Sequence, residues 1–330
     1  MSETPAAPLP SRALGSLTVP AVGFGAMVLA GAYARTDDAD PSRALAAALD
    51  AGCTLVDTSD SYGANERQIG AFLAGRPRDA VQISTKFGLR VPAGEPTHRL
   101  PVPYGTGELR INAEPRLVRS YLERSLGRLG TDHIDVYSPH FPDPTVAIED
   151  TVGAMASLVE AGMVRHLGLS NPTLDDLVRA QAVHRIAAVQ VEWSMWHPLE
   201  PGLLEHCERT GVGIVAWSPV GRGFLTGALA SVDDGDFRTS VERLRGSNLA
   251  ANNERFAPVR ALAAELGLTP AQLALAWLLH RSASVVPIPG SRSPVHIAEN
   301  AAAATVALDP AAIARIDAAL AAFVPAGSVS

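Results

Sequence analysis

The chain has 330 residues, 47% of them hydrophobic and 18% charged, which provides the apolar side chains for a substantial core. Its formal net charge is −7 and no dense Lys/Arg run occurs, which argues against a nucleic-acid partner. The only cysteines, Cys53 and Cys207, are too few for a disulfide framework and lack metal-ligand spacing; they read as small buried hydrophobes, and no metal is expected.

Residues 1–12, rich in Pro and Ala, read as a flexible N-terminus. A short hairpin over 13–19 precedes an apolar run at 21–24 that ends at Gly25. Pro41 opens a helix with Leu45, Ala46 and Leu49 on its apolar face, and Gly52 stops it. Two short β runs follow, at 54–58 ending in TLVDT and at 81–86 ending in ISTK. A helix over 114–129 places Leu117, Tyr121, Leu122, Leu126 and Leu129 close to a 3.6-residue period. Strands at 134–140, 164–170, 188–193, 213–217 and 285–288 alternate with helices at 146–161, 174–182, 203–209 and 270–279. Helices at about 294–304 and 310–322 complete the ordered chain. No apolar run approaches the ~20 residues that a membrane span requires, and no export signal opens the sequence, so a cytoplasmic protein is expected.

Eight strands, each followed by a helix and with no linker between them, predict one domain: a (β/α)8 TIM barrel with an N-terminal hairpin and extra C-terminal helices. A doubly wound open sheet is the alternative, weakened because no G-x-G-x-x-G follows the first strand. Two segments, 88–113 and 220–257, are longer than ordinary connections. Both follow strand ends, the barrel face where active sites are built.

Ionisable residues fall at those strand ends. Asp57, Lys86 and His140 end successive strands and converge at one rim, and Tyr62 follows Asp57 by five residues in DTSDSYG. Singly, each has an ordinary reading as a helix cap, an edge lysine or a packed aromatic. Together they suit proton donation to a developing alkoxide. A phenol gives the proton, an ammonium held by a carboxylate eases its release, and an imidazole N–H orients the carbonyl. No serine elbow or zinc-ligand set competes.

The segments DTSDSYG–NERQIG, ISTKFG, SLGRLGTDHIDVYSPHFPDP, VRHLGLSN, AVQVEWSMW, GIVAWSPVGRGFLTG and VVPIPGSRSPVHIAEN, in this order, resemble the aldo-keto reductases over nearly the whole chain. The SPVGRGFLTG segment is similar to the bacterial aldehyde- and pyridoxal-reductase-like branch. The resemblance implies a (β/α)8 barrel that binds NADP(H) without a Rossmann motif, with Tyr62 as general acid, Lys86 and Asp57 tuning it, and His140 orienting the carbonyl. It implies that Ala26, Met27 and Asp57 line the cofactor and that Ser170, Asn171 and Gln190 hold the carboxamide. Trp217 would stack on the nicotinamide, and Ser218, Pro219, Val220, Gly221 and Arg222 would line the pyrophosphate. Gly290, Arg292 and His296 would lie near the 2′-phosphate, and Glu299 and Asn300 near the adenine.

Two positions depart from the family pattern: His296 stands where many members have Arg or Lys, and Ala228 where some have Lys. The 2′-phosphate would then rest largely on Arg292, with Arg238 or Arg243 as a compensating charge. The resemblance extends to potassium-channel β-subunits, a regulatory alternative, but those carry Asn in place of His140; relatives that reduce C=C bonds carry Glu there. The expected reaction is therefore NADPH-dependent reduction of an aldehyde or ketone. Tyr33, Phe87, Phe141 and Trp196 are expected to line an apolar pocket for a small-molecule carbonyl substrate. No heptad or broad apolar stripe stands out, so a monomer is the default expectation.

Overall fold

Successive side chains of a strand point to opposite faces, and this alternation fixes which of them reach the rim. In the computed structural model, which describes residues 8–31, 40–101 and 108–328, eight parallel strands form one sheet. In chain order these are β3 (Phe24–Gly25), β4 (Leu55–Asp57), β5 (Gln82–Phe87), β8 (Ile134–Pro139), β9 (Val164–Ser170), β10 (Ile186–Glu192), β11 (Gly213–Trp217) and β12 (Val285–Pro287). Each pairs with the next along the chain. Backbone hydrogen bonds from Gly23 to Pro287 (3.0 Å) and from Gly25 to Pro289 (3.3 Å) join the first strand to the last and close the barrel.

Closure brings the two backbones close together. A Cβ on Gly25 would stand 2.6 Å from the Ile288 carbonyl oxygen, so only glycine fits there. The barrel interior holds Leu55, Ala188, Val215, Val286 and Ile288. Its bottom is plugged by the hairpin of β1 (Ser11–Leu14) and β2 (Leu17–Pro20), whose Leu14 and Val19 join the same cluster. Ser11 and Arg12, expected in the flexible N-terminus, thus pair in the first strand; residues 1–7 of that expectation lie outside the described residues.

Outward-facing strand residues such as Val56, Ile83, Tyr137, Val189 and Ile214 form the second core, against the helices. Those helices are α1 (Pro41–Asp50), α2 (Asn65–Leu73), α3 (Pro115–Leu129), α4 (Ile148–Glu160), α5 (Leu174–Val183) and α6 (Leu203–Thr210). They continue with α7 (Gly246–Arg255), α8 (Ala257–Glu265), α9 (Pro270–Leu279), α10 (Pro294–Ala302) and α11 (Pro310–Ala322). Among the described residues no single helix is long and apolar enough to cross a membrane.

Both long segments contain structure that the sequence reading left as loop. The first carries an antiparallel hairpin of β6 (His98–Pro101) and β7 (Glu108–Ile111). The second carries three 3-10 turns and α7, and α8 follows it directly.

Candidate active site

Period-two alternation sends Asp57, Ser84, Lys86, Ser138, Gln190 and Glu192 inward at the C-terminal ends of their strands. Burial of the outward neighbours Val56, Thr85, Val189 and Val191 holds this register, because a one-residue slip would exchange the two faces. The Lys86 ammonium donates to Asp57 Oδ1 (2.7 Å) and to the Thr58 carbonyl (2.8 Å). Ser84 and Gln190 donate to the other Asp57 oxygen at 2.9 and 2.7 Å. This buried ion pair is therefore fully hydrogen-bonded at the carboxylate, the condition under which a buried pair keeps a fixed geometry.

Above the pair lie two rings. Lys86 Nζ is 5.5 Å from the centroid of the Tyr62 ring, and Tyr62 meets the His140 imidazole edge to face at 5.7 Å. His140 stacks on Phe141 at 5.4 Å, its backbone N–H donates to the Phe87 carbonyl, and its Nδ1 lies 3.0 Å from the Ser59 hydroxyl. Burial, with the positive charge of Lys86 added, holds the imidazole well below its usual range, so it is neutral at physiological pH. In the tautomer where the Ser59 hydroxyl donates to Nδ1, the neutral ring carries its single N–H on Nε2, free for a ligand.

The rings open into a cleft of about 820 Å³ over the strand ends. One wall is built from Ser170, Asn171, Trp217, Ser218, Pro219, Val220 and Arg222. Asn171 donates to the His140 carbonyl (3.0 Å) and accepts from the Trp217 indole N–H (3.1 Å), which ties the indole to the His140 backbone. Among the described residues, the non-glycine residues with left-handed backbone are Asn171, Ser218 and Arg222, and all three line this wall. Such conformations cost free energy and collect where a ligand is gripped. The opposite edge carries Gly290, Ser291 and Arg292, and the β6–β7 hairpin adds Leu109 and Arg110.

The Aldo/keto reductase family model matches residues 21–321. The chain belongs to that family. It is 39% identical over 319 residues to the NADP(+) aldo-keto reductase yakc of Schizosaccharomyces pombe, an alignment covering 93% of this chain and 90% of the relative. It is 38% identical over 293 residues to the probable aldo-keto reductase 1 of Glycine max, covering 87% and 81%. Among solved structures, the glycerol dehydrogenase AKR11B4 from Gluconobacter oxydans superposes with a TM-score of 0.80 at 24% identity, over 96% of this chain and 97% of that one. The thermostable aldo-keto reductase Tm1743 gives 0.73 at 26% identity, over 94% and 100%.

In this aldo-keto reductase chain, Asp57, Tyr62 and His140 line the cleft, with Lys86 buried against Asp57. Met27, Phe141, Ser170, Asn171, Gln190, Trp217 to Val220, Arg222, Gly290 and Arg292 also line it. Other expected residues do not. Ala26 is fully buried, and its carbonyl accepts from Asn65. Gly221 sits under the wall, where a Cβ would be 2.8 Å from the Trp196 indole nitrogen.

Phe87 corrects the sequence reading by strand parity. It follows the inward Lys86, so it points outward, stacked at 4.8 Å on Tyr137 and 5.6 Å from Tyr121. Trp196 is stacked on Phe224 at 4.1 Å, outside the cleft lining. His296 is exposed on the first turn of α10, Glu299 accepts from Thr269, and Asn300 is buried; none of the three lines the cleft. Tyr33 lies outside the described residues. Sequence reasoning passed over Val28, Ser61, Leu89, Leu109, Phe237 and Ile288, all in the lining. Ile288 follows β12 directly and Ser61 lies in the turn after β4, beside Tyr62, so both were within reach of the rim argument, whereas Leu109 needed the unforeseen hairpin.

Proposed function

We propose that the chain reduces an aldehyde or ketone to the alcohol, with NADPH as the hydride donor and Tyr62 as the proton donor. The observation that carries this reading is the buried Asp57–Lys86 pair beside the Tyr62 ring, facing a neutral His140 across the floor of one open cleft. The lining suits an extended dinucleotide. It combines a tethered indole at Trp217, a wall of strained backbone from Ser218 to Arg222, and a guanidinium at Arg292 whose fork matches a phosphate. NADP(+) in the name of the yakc relative supports the phosphorylated form of the cofactor.

The bound dinucleotide supplies a hydride to the carbonyl carbon. Every other requirement falls on the chain. The neutral His140 offers an N–H to the carbonyl oxygen, polarising it without a charge that would have to be neutralised later. As negative charge grows on that oxygen, Tyr62 transfers its phenolic proton there. The ammonium of Lys86 stabilises the charge left on the phenol oxygen. Asp57 holds Lys86 in place, and Gln190 and Ser84 hold Asp57. Phe141, Leu89 and Leu109 give the substrate side an apolar wall. His140 in place of Asn or Glu supports carbonyl reduction over the regulatory and double-bond readings.

Tyr62→Phe tests this directly. Removing the proton donor is expected to cut NADPH-dependent turnover of an aldehyde by about 10²- to 10⁴-fold while NADPH binding persists. Turnover near the wild-type rate would rule the mechanism out.

A further inference from the structure

Glu192 is a buried acid for which the chemistry above has no use. It lies two residues beyond Gln190 on the inward face of β10, and it is 7% exposed. Its Oε2 accepts from the Arg222 guanidinium at 2.9 Å, and Arg222 is equally buried. Burial raises the Glu192 carboxyl, and Arg222 and Arg243 pull it back. His197 Nδ1 stands 3.9 Å from the same oxygen; burial and the two arginines push its pKa down to about 4, so this neighbour is neutral. A pair taken this far from water is poor evidence for stability alone, because an apolar pair of the same volume often does as well. Its presence at the wall of the cleft therefore points to a positional reason.

The backbone supplies one. Gly221, Arg222 and Gly223 are three successive left-handed residues, with φ of 58°, 54° and 92°. At Arg222 this conformation is unfavourable for a residue with a side chain, and it persists only where the surroundings enforce it. Glu192 is one such surrounding group: its carboxylate accepts from the Arg222 guanidinium, which stands 5.5 Å from the Trp217 ring centroid. The Arg222 carbonyl, turned the other way, meets Arg238 Nη1 at 3.4 Å, and Arg238 is forked onto Asp236 at 2.6 to 3.1 Å. A continuous chain of contacts thus runs from β10 through the wall of the cleft into the second long segment.

Resting on the function proposed above, we infer that Glu192 is a positioning residue for the dinucleotide. Through Arg222 it holds the 218–223 backbone and the Trp217 indole in the shape that grips the anionic cofactor. It touches neither the carbonyl nor the Asp57–Lys86 pair, so its loss acts on cofactor affinity and leaves the chemical step intact.

The test is Glu192→Gln in the full-length chain, with NADPH affinity read by quenching of tryptophan fluorescence and turnover read at saturating NADPH. NADPH is expected to bind about tenfold more weakly, with kcat within twofold of wild type and the KM for the aldehyde unchanged. Glu192→Asp keeps the charge on a shorter arm; it is expected to weaken binding in the same direction and carries the test if Gln fails to fold. Unchanged NADPH affinity with a lowered Tm would mean a purely structural pair and overturn the inference. A fall in kcat at saturating cofactor with affinity intact would overturn it too. If the wild-type chain itself bound no NADPH, the proposed function would fail first, and the two failures are thereby told apart.

Discussion

Asp60 shows how much a single residue beside the proposed catalytic group can hide. It lies in the same DTSDSYG segment as Asp57 and Tyr62, yet nothing in its spacing distinguished it from an ordinary turn aspartate. In the structure it is 2% exposed, and its Oδ1 has no hydrogen-bond partner among the described residues. Burial and the nearby Glu66 raise its pKa to about 7, against the opposing pull of Arg128, Arg124 and Arg90. The folded protein therefore keeps a proton that the unfolded chain releases near pH 4. The contribution of Asp60 to stability falls as pH rises through the window from about 4 to 7, then levels off. Asp60→Asn removes that dependence. It is expected to stabilise the protein by at most on the order of 4 kcal/mol at pH 8, and by little at pH 4. Thermal unfolding of both proteins at the two pH values checks this, and a gain as large at pH 4 as at pH 8 would contradict the assignment. Asp57, Lys86 and His140 were legible because strand ends in a parallel barrel converge whatever the details. Phe87 was misread for the same reason that Lys86 was read correctly: adjacent residues on a strand face opposite ways.

Elements were legible where a regular period carried them and obscure where tertiary contacts did. The helix α3 shows its apolar face in sequence, but α7 buries only Leu249 and Asn252, and GSNLAANNER gives no helical signal. Asn252 holds that helix down, bonding the Arg243 and Ala326 carbonyls at 3.0 Å each. The β6–β7 hairpin was concealed by the prolines and glycines around it. Packing between elements was likewise invisible, and Gly70 in α2 is a case where it decides the sign of a substitution. A helix interior ordinarily favours Ala over Gly by roughly 0.5–1 kcal/mol. Here a Cβ would stand 2.7 Å from the Arg128 and Leu129 carbonyl oxygens at the end of α3, and backbone oxygens cannot swing aside. Overpacking costs about 1–3 kcal/mol, so Gly70→Ala is expected to destabilise by about 1–2 kcal/mol in urea unfolding. The strain would reach the site as well, since Glu66 of α2 accepts both from Arg128 (2.6 Å) and from Thr85 (2.8 Å), the neighbour of Lys86. A stabilised variant would show that the two helices can part without loss.

At the scale of the molecule, the eight-fold alternation of strand and helix made the barrel readable, and closure by Gly23 and Gly25 onto β12 completes it. How the second long segment lies against the rim was not readable, because ion pairs such as Glu192–Arg222 couple residues far apart in sequence that have no periodic signature. A closed barrel also makes a claim about cooperativity. Each strand is bonded on both sides, so no strand leaves without breaking two ladders, and the chain is expected to open as one unit. The two cysteines report on this from different places. Cys53 lies between α1 and β4, and Cys207 lies in α6, five helices further along the chain. Both are buried, at 2% and 0% exposure, and burial pushes both thiols up to about 12, so neither presents a thiolate in the native state. Thiol reagents should therefore modify both only on global unfolding, with equal rates and the same steep dependence on urea. Rates at the two positions are separable in Cys53→Ala and Cys207→Ala variants, each compared at matched stability. A Cys207 that reacted far faster, with a shallow urea dependence, would mean that the α6 side opens on its own and that the barrel is not a single cooperative unit.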